Sequence, residues 1–324
     1  MNRIKVMSIF GTRPEAIKMC PLVKELERHP EIDSMVCVTA QHRQMLDQVL
    51  KIFDVRPDYD MNIMSSGQTL YDITSRVLLG LGTLFEKVHP DLVLIHGDTS
   101  TSFTAALAAF YAKIPVGHVE AGLRTFNKYS PFPEEMNRCL TSRIAEFHFV
   151  PTENNKKNLV DENITQNIYV TGNTVIDSFA YTIRTNYVFH DKQLQQINFS
   201  KGRYILLTAH RRENLGRPLE NICRAAKDIV DRFPDIHVIY PVHLNAAVRN
   251  TVFPILGNHE HIHLIDPVDV ADMHNLISKC FFVMTDSGGL QEEAPSLGSP
   301  VCRTTIHIGQ LRKNKIQKWT HRLK

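Results

Sequence analysis

Short apolar runs alternate along this chain with longer stretches that suit helices. Residues 4–10, 35–39, 91–96, 115–120 and 147–150 are each rich in residues that fit a pleat, and each is bounded by turn-forming residues. Runs of that length and composition predict buried strands. Gly11-Thr12-Arg13-Pro14 closes the first run and predicts a helix from near Pro14, since proline suits the first helical position. An alanine-rich helix is predicted over residues 104–112. The pattern restarts after Val170-Thr171-Gly172-Asn173, with strands expected at 204–208, 237–241, 262–265 and 281–285. Strands alternating with helices at this spacing predict an α/β fold of two Rossmann-like, doubly wound parallel sheets. The expected domains are residues 1–170 and 171–301. Residues 190–201 are mostly polar and read as a surface connection.

Composition narrows the class. The 324 residues are enough for two cores, and 43% hydrophobic with 22% charged residues is ordinary for a globular protein. A net charge of +3 argues against an extended nucleic-acid surface. The six cysteines are scattered singly, which predicts reduced thiols and a cytoplasmic protein, with neither a zinc site nor a disulfide framework. No apolar stretch reaches membrane-spanning length, and no leader pattern opens the chain.

The carboxyl ends of the predicted strands carry the chemistry. In open α/β sheets that is where ligands bind. In the first half they offer Arg13 and Lys18, then Asp98, then His118, Glu120 and Arg124, with Glu134 on a following loop. In the second half they offer His210, Arg211 and Arg212, then His243, then Ser287-Gly288-Gly289 with Glu293 further on. The Ser-Gly-Gly segment opens a helix after a strand, and free N–H groups with a positive dipole end suit a pyrophosphate there. For a bare Ser-Gly-Gly taken alone, a tight turn is the better explanation. Asp98, Glu120 and Glu134 are three carboxylates near strand ends, a pattern that lets one hold a proton while another accepts one. Singly, each has a bland alternative: Asp98 as a helix cap and Glu134 as a helix N-terminal acid. His210 without its arginines would read as a core histidine. His148, His261 and His263 are read as strand-edge residues without a role. No His/Asp/Glu set has metal-ligand spacing.

Six segments occur in order: Phe10-Gly11-Thr12-Arg13-Pro14-Glu15-Ala16-Ile17-Lys18, His96-Gly97-Asp98-Thr99, His118-Val119-Glu120-Ala121-Gly122-Leu123-Arg124, Pro133-Glu134-Glu135-Met136-Asn137-Arg138, His210-Arg211-Arg212-Glu213-Asn214 and Asp286-Ser287-Gly288-Gly289-Leu290-Gln291-Glu292-Glu293. Together they closely resemble the bacterial non-hydrolysing UDP-N-acetylglucosamine 2-epimerases, over residues 4 to about 301. The resemblance implies two domains of the glycosyltransferase-B type facing a cleft, a homodimer, no cofactor, and interconversion of UDP-N-acetylglucosamine and UDP-N-acetylmannosamine for cell-surface polysaccharides such as capsule or teichoic acid. It implies that Asp98, Glu120, Glu134 and His210 work on the sugar and that Arg13 and Lys18 lie in the same cleft. It also implies that Ser287, Gly288, Gly289 and Glu293 hold UDP. Arg211 and His243 complete the expected substrate contacts. In some members a second UDP-N-acetylglucosamine activates, contacted by glutamines like Gln41 and Gln44, with His42 between them. The arginine that joins them there is missing around Gly67-Gln68-Thr69.

After Val301 the chain departs from the family pattern. Residues 303–324 hold seven Lys or Arg and no Asp or Glu. Residues 302–324 therefore read as an aberrant basic tail from a shifted frame, with the second domain incomplete and activity weak or lost. The alternatives are a hydrolysing epimerase, a retaining glycosyltransferase on the same fold, or an inactive truncated product.

Overall fold

The structure is a computed structural model that describes residues 3–40, 43–65, 67–211 and 214–304. Its contacts divide the chain into two compact units, Met1–Thr185 and Asn186–Lys324.

The first unit runs β1 (Ile4–Phe10), α1 (Arg13–Leu26), β2 (Ile32–Val38), α2 (Arg43–Phe53), β3 (Tyr59–Asp60), α3 (Leu70–Val88), β4 (Leu92–His96), α4 (Ser100–Tyr111), β5 (Val116–Val119), α5 (Glu134–Ile144), β6 (Phe147–Val150), α6 (Glu153–Asp161), β7 (Ile168–Val170) and α7 (Phe179–Thr182). Among the described residues these strands form one sheet in the order β3-β2-β1-β4-β5-β6-β7. Every pairing is parallel. A parallel sheet is covered on both faces, so its strands are apolar throughout rather than alternating. In β1 the last five residues are all buried. Met7, Ile9, Val93 and Ile95 pack there with Val77, Leu81 and Phe85 of α3 and the alanines of α4.

The second unit runs α8 (Lys192–Gln195), β8 (Arg203–Thr208), α9 (Arg217–Arg232), β9 (Ile236–Pro241), α10 (Ala246–Leu256), β10 (Ile262–Ile265), α11 (Val270–Lys279), β11 (Phe282–Thr285), α12 (Gly288–Ser296) and β12 (Val301–Arg303). Its sheet order is β10-β9-β8-β11-β12, again parallel in every pairing. Both sheets reverse their winding at one point, between β1 and β4 and between β8 and β11. At such a switch point the loops diverge and leave a crevice at the carboxyl ends.

Three findings adjust the expectations. The division falls after Thr185 rather than after residue 170, because the segment that follows β7 packs back on the first unit. There Tyr181 of α7 meets Phe53 of α2, ring centroids 5.4 Å apart. The segment read as a surface connection is instead anchored. Phe189 and Leu194 are buried, and the buried Asp272 accepts hydrogen bonds from Tyr187 Oη, His190 N and Asp191 N, each 2.8 Å. The sheet also continues into the stretch read as a basic tail. Cys302 and Arg303 pair with Met284 and Thr285 in β12, and Thr304 N donates to Thr285 O at 3.0 Å. The rest of that stretch, 305–324, lies outside the described residues, as do Gln41, His42, Arg212 and the side chain of Gln44. Among the described residues no helix is long and apolar enough to cross a membrane.

Candidate active site

The switch point of the first unit is built around a close backbone approach. A Cβ on Gly11 would lie 1.9 Å from Thr39 Oγ1, so only glycine lets β1 run into α1 at this place. Thr12 caps α1, and Arg13 and Lys18 ride on its first turns. Across the switch point β4 ends at His96, and Gly97-Asp98 leads into α4. The cap of α4 is Thr99, whose Oγ1 accepts from Ser102 N at 3.1 Å. Asp98 is therefore not the helix cap its position suggests.

Asp98 is held from α5. Arg138 Nη2 forms an ion pair with its Oδ2, and Asn137 Nδ2 donates to its carbonyl at 2.9 Å. Burial raises the Asp98 carboxyl above its ordinary value. Arg138 opposes this, while the charges of Glu120 and Glu134 push the same way as burial. Both glutamates thus act on Asp98. Glu134 is the first residue of α5, and its Oε2 is buried with no hydrogen-bond partner in the protein.

Glu120 follows β5 in the left-handed region, with φ of 63°. For a residue with a Cβ that conformation costs on the order of 1–2 kcal/mol. It is kept where the carboxylate meets Lys18 Nζ in an ion pair and His96 Nε2 at 3.5 Å. Burial alone would raise this carboxyl. His96 and Lys18 outweigh burial and hold it far below the ordinary carboxylate range. Asp98 and Glu120 are therefore driven in opposite directions, the condition under which two carboxyls take different proton-transfer roles.

His118 and Arg124, also noted at this strand end, do structural work. His118 donates from Nε2 to Gly97 O at 2.7 Å and supports the turn that carries Asp98. Burial holds its imidazole down to about 3, so the ring stays neutral. Arg124 makes a two-pronged ion pair with Glu162, at 2.6 and 2.9 Å, and a further bond to Ser142 Oγ at 3.1 Å.

The second switch point has a different character. Asp286, at the end of β11, is buried, and its Oδ2 accepts from His210 N, Arg211 N and Asn214 Nδ2, each at 2.9 Å. That carboxylate sets the backbone on which His210 and Arg211 project. The His210 ring stacks on His243, which follows β9, with centroids 5.1 Å apart and planes 11° from parallel. Partial enclosure lowers the His210 imidazole. His243 and Arg211 add to the effect and Asp286 opposes it. Nδ1 of His243 accepts from Asn245 N at 3.1 Å, which leaves Nε2 as the free nitrogen.

Ser287 is the N-cap of α12, and Gly288 and Gly289 open the helix. Arg211 reaches this helix start: its Nη2 lies 3.4 Å from where a Cβ on Gly288 would stand. Glu293 returns to it from the next turn, with Oε1 3.2 Å from the corresponding point on Gly289, and its Oε2 is 3.5 Å from His274 Nε2. Helix N–H groups, a guanidinium and a hydroxyl are donors that suit an anion, and a carboxylate one turn on suits sugar hydroxyls.

The structure thus gathers Asp98, Glu120, Glu134 and Lys18 in the first unit, with Arg13 at the start of the helix that carries Lys18. It gathers His210, Arg211, His243, Ser287, Gly288, Gly289 and Glu293 in the second. Glu15, His96, Arg138 and Asp286 went unassigned in the sequence, although each stands inside or beside a quoted segment. A cavity of about 590 Å³ in the second unit, walled by Tyr204, His237 and His263, opens near the amino ends of the strands, away from these residues.

The chain matches the family model described as UDP-N-acetylglucosamine 2-epimerase over residues 24–315. It is 57% identical to the UDP-N-acetylglucosamine 2-epimerase of Bacillus subtilis over 93% of this chain and 78% of that protein. The UDP-GlcNAc 2-epimerase of Neisseria meningitidis, solved bound to UDP-GlcNAc, superposes with a TM-score of 0.84 at 48% identity, over 93% of this chain and 82% of that one. The enzyme of Methanocaldococcus jannaschii, solved in complex with UDP-GlcNAc and UDP, superposes with a TM-score of 0.76 at 32% identity, over 93% of this chain and 83% of that one. By the extent of these matches, the chain belongs to the UDP-N-acetylglucosamine 2-epimerase family.

Proposed function

We propose that this protein is an isomerase that interconverts UDP-N-acetylglucosamine and UDP-N-acetylmannosamine by expelling UDP and adding it back. The C2 proton of the sugar has no neighbouring carbonyl and is not acidic, so direct exchange is hard. Loss of UDP from C1 together with that proton gives an unsaturated sugar, and re-addition with a proton from the other face inverts C2. Such a route needs proton-transfer groups of unlike strength and firm retention of a diphosphate. The observation that carries the reading is the opposed pair in the first unit: Asp98 raised and Glu120 held ionised, with Glu134 beside them. Asp98, raised, is the better placed to hold a proton, and Glu120 holds charge and pairs with Lys18. His210, in the second unit, is assigned to the sugar chemistry as well. In the second unit Arg211, His243 and the Ser287-Gly288-Gly289 helix start retain UDP, with Glu293 on the ribose; Arg13, in the first unit, is assigned to the substrate.

Further features follow from the same reading. The product suits cell-surface polysaccharide synthesis such as capsule or teichoic acid, and six free cysteines suit the cytoplasm. A homodimer is supported by large exposed apolar side chains on the neighbouring helices α3 and α4, namely Tyr71, Leu79, Phe110 and Tyr111. Gln41, His42 and Gln44 remain the place where a second nucleotide sugar would act.

The test is incubation with UDP-N-acetylglucosamine in heavy water, followed by NMR. UDP-N-acetylmannosamine with deuterium at C2 is expected. Free N-acetylmannosamine would replace the reading with a hydrolytic one, and no turnover by folded protein would end it.

A further inference from the structure

Glu15 has no part in the chemistry above, yet it is one of the most heavily engaged side chains in the first unit. It is buried at 2% exposure, on the first turn of α1. Its Oε2 accepts from Gly11 N at 3.0 Å, Thr12 N at 2.8 Å and Thr12 Oγ1 at 2.8 Å. Its Oε1 faces Thr99 Oγ1 at 2.6 Å and Ser102 Oγ at 2.8 Å. Ser102 divides its one hydroxyl proton between Glu15 and His96 O, 2.5 Å away. One oxygen therefore serves the turn that leaves β1, and the other serves the turn that leaves β4. These are the two loops that diverge at the switch point.

A capping glutamate needs only its own helix start. Glu15 reaches beyond it, to residues 84 and 87 positions away. The turn on one side leads into the helix that carries Arg13 and Lys18, and Lys18 meets Glu120. The turn on the other side carries Asp98, immediately before Thr99. We propose that Glu15 is a positioning residue that locks the β1–α1 and β4–α4 turns together and so fixes Asp98 relative to Lys18 and Glu120. The proposal rests on the epimerase reading for its effect on turnover, but not for the clamp itself.

Position rather than charge is the claim, and two substitutions separate them. Glu15→Ala removes both acceptors. Glu15→Gln keeps an oxygen for Gly11 and Thr12 and turns an amide toward hydroxyls that can accept. A misplacement of about 1 Å can lower a rate by about 100-fold. Glu15→Ala should therefore lower kcat roughly 10- to 100-fold with KM changed less than about threefold, since the UDP contacts assigned to the second unit are untouched. Glu15→Gln should recover most of that loss, to within about fivefold of the parent. Amide exchange over residues 97–102 should rise about tenfold in Glu15→Ala, with the strand amides of β4 unchanged. If Glu15→Ala does not fold, Thr99→Val opens the clamp from the α4 side and is read in the same way. A Glu15→Gln protein as slow as Glu15→Ala would overturn the proposal in favour of a direct chemical role. Unchanged kcat in folded Glu15→Ala, or unchanged exchange over 97–102, would overturn it as well. A parent that fails to epimerise would refute the functional reading alone, because the exchange measurement still judges the clamp.

Discussion

Lys18, on the second turn of α1, forms an ion pair with Glu120, a residue that follows β5 in the left-handed conformation. The side chains are only 16% and 15% exposed, so neither charge is well hydrated without the other. Removing one partner of a buried pair strands the other, typically at about 3–5 kcal/mol. Lys18→Met should therefore destabilise the protein by about 3 kcal/mol at pH 7, measured by urea unfolding. The sign with pH follows from Glu120. Its folded pKa lies below the ordinary 4.5, so the stability it adds is present above 4.5 and is lost as pH falls through the folded value. The gap between parent and Lys18→Met should accordingly be full at neutral pH and narrow in acid. A gap that does not depend on pH would assign the loss to packing of the lysine stem.

Asp286 gives a second prediction. Its one oxygen serves two backbone amides and a side-chain amide, so Asp286→Ala leaves three donors without an acceptor. Each buried orphan costs about 1–3 kcal/mol, less where water can enter. A loss of about 3 kcal/mol or more is expected. Asp286→Asn keeps an acceptor for His210 N and Arg211 N and should lose less. The same order, Asn milder than Ala, should appear in turnover, because the backbone under His210 is what the carboxylate sets. Equal turnover in the two variants would mean that Asp286 does not place His210.

Much of this could be read in the chain itself. The strands at 4–10, 147–150 and 262–265 agree with the structure at both ends, because each is an apolar run closed by polar or turn residues. The short strands β3, β7 and β12 could not be read. Tyr59–Asp60 and Ile168–Val170 carry little buried surface, and Val301–Arg303 exists by pairing with β11. The strand-end carboxylates were legible because topology puts strand ends together whatever lies between. The clamps were not. Glu15 reads locally as one half of a capping box, and nothing in its neighbourhood announces Thr99 or Ser102. Arg124 shows the opposite error: a cation at a strand end whose partner, Glu162, lies 38 residues away and removes it from the chemistry.

The start of α12 tests the nucleotide assignment without replacing a charged group. A methyl at Gly288 would stand 3.4 Å from Arg211 Nη2, an ordinary contact with the end of a flexible side chain. Alanine is also the better helix former. Gly288→Ala should therefore fold with an unchanged or slightly raised melting temperature. The methyl nonetheless stands beside the guanidinium at the helix start, where a phosphate would sit. UDP affinity, measured by calorimetry, should fall at least about tenfold, or about 1.4 kcal/mol. Unchanged affinity would move the diphosphate away from this helix.

Two histidines of the first unit make acid a weakness of the fold. Burial holds His118 down to about 3 and His148 down to about 4, the latter with help from Arg124. Both values lie below the ordinary 6.5, so the folded protein refuses protons that the unfolded chain takes up. Their penalty is absent above 6.5 and grows as pH falls from there toward the folded values. At pH 5 each ring should contribute a loss of about 2 kcal/mol. Among the described residues the His148 side chain has no hydrogen bond whose removal would confuse the result, and its Nδ1 is buried without a partner. His148→Leu should therefore shrink the difference in unfolding free energy between pH 7.5 and pH 5 by about 2 kcal/mol, whatever it does at pH 7.5 alone. An unchanged difference would show that His148 takes up its proton in the folded state as readily as in the unfolded chain.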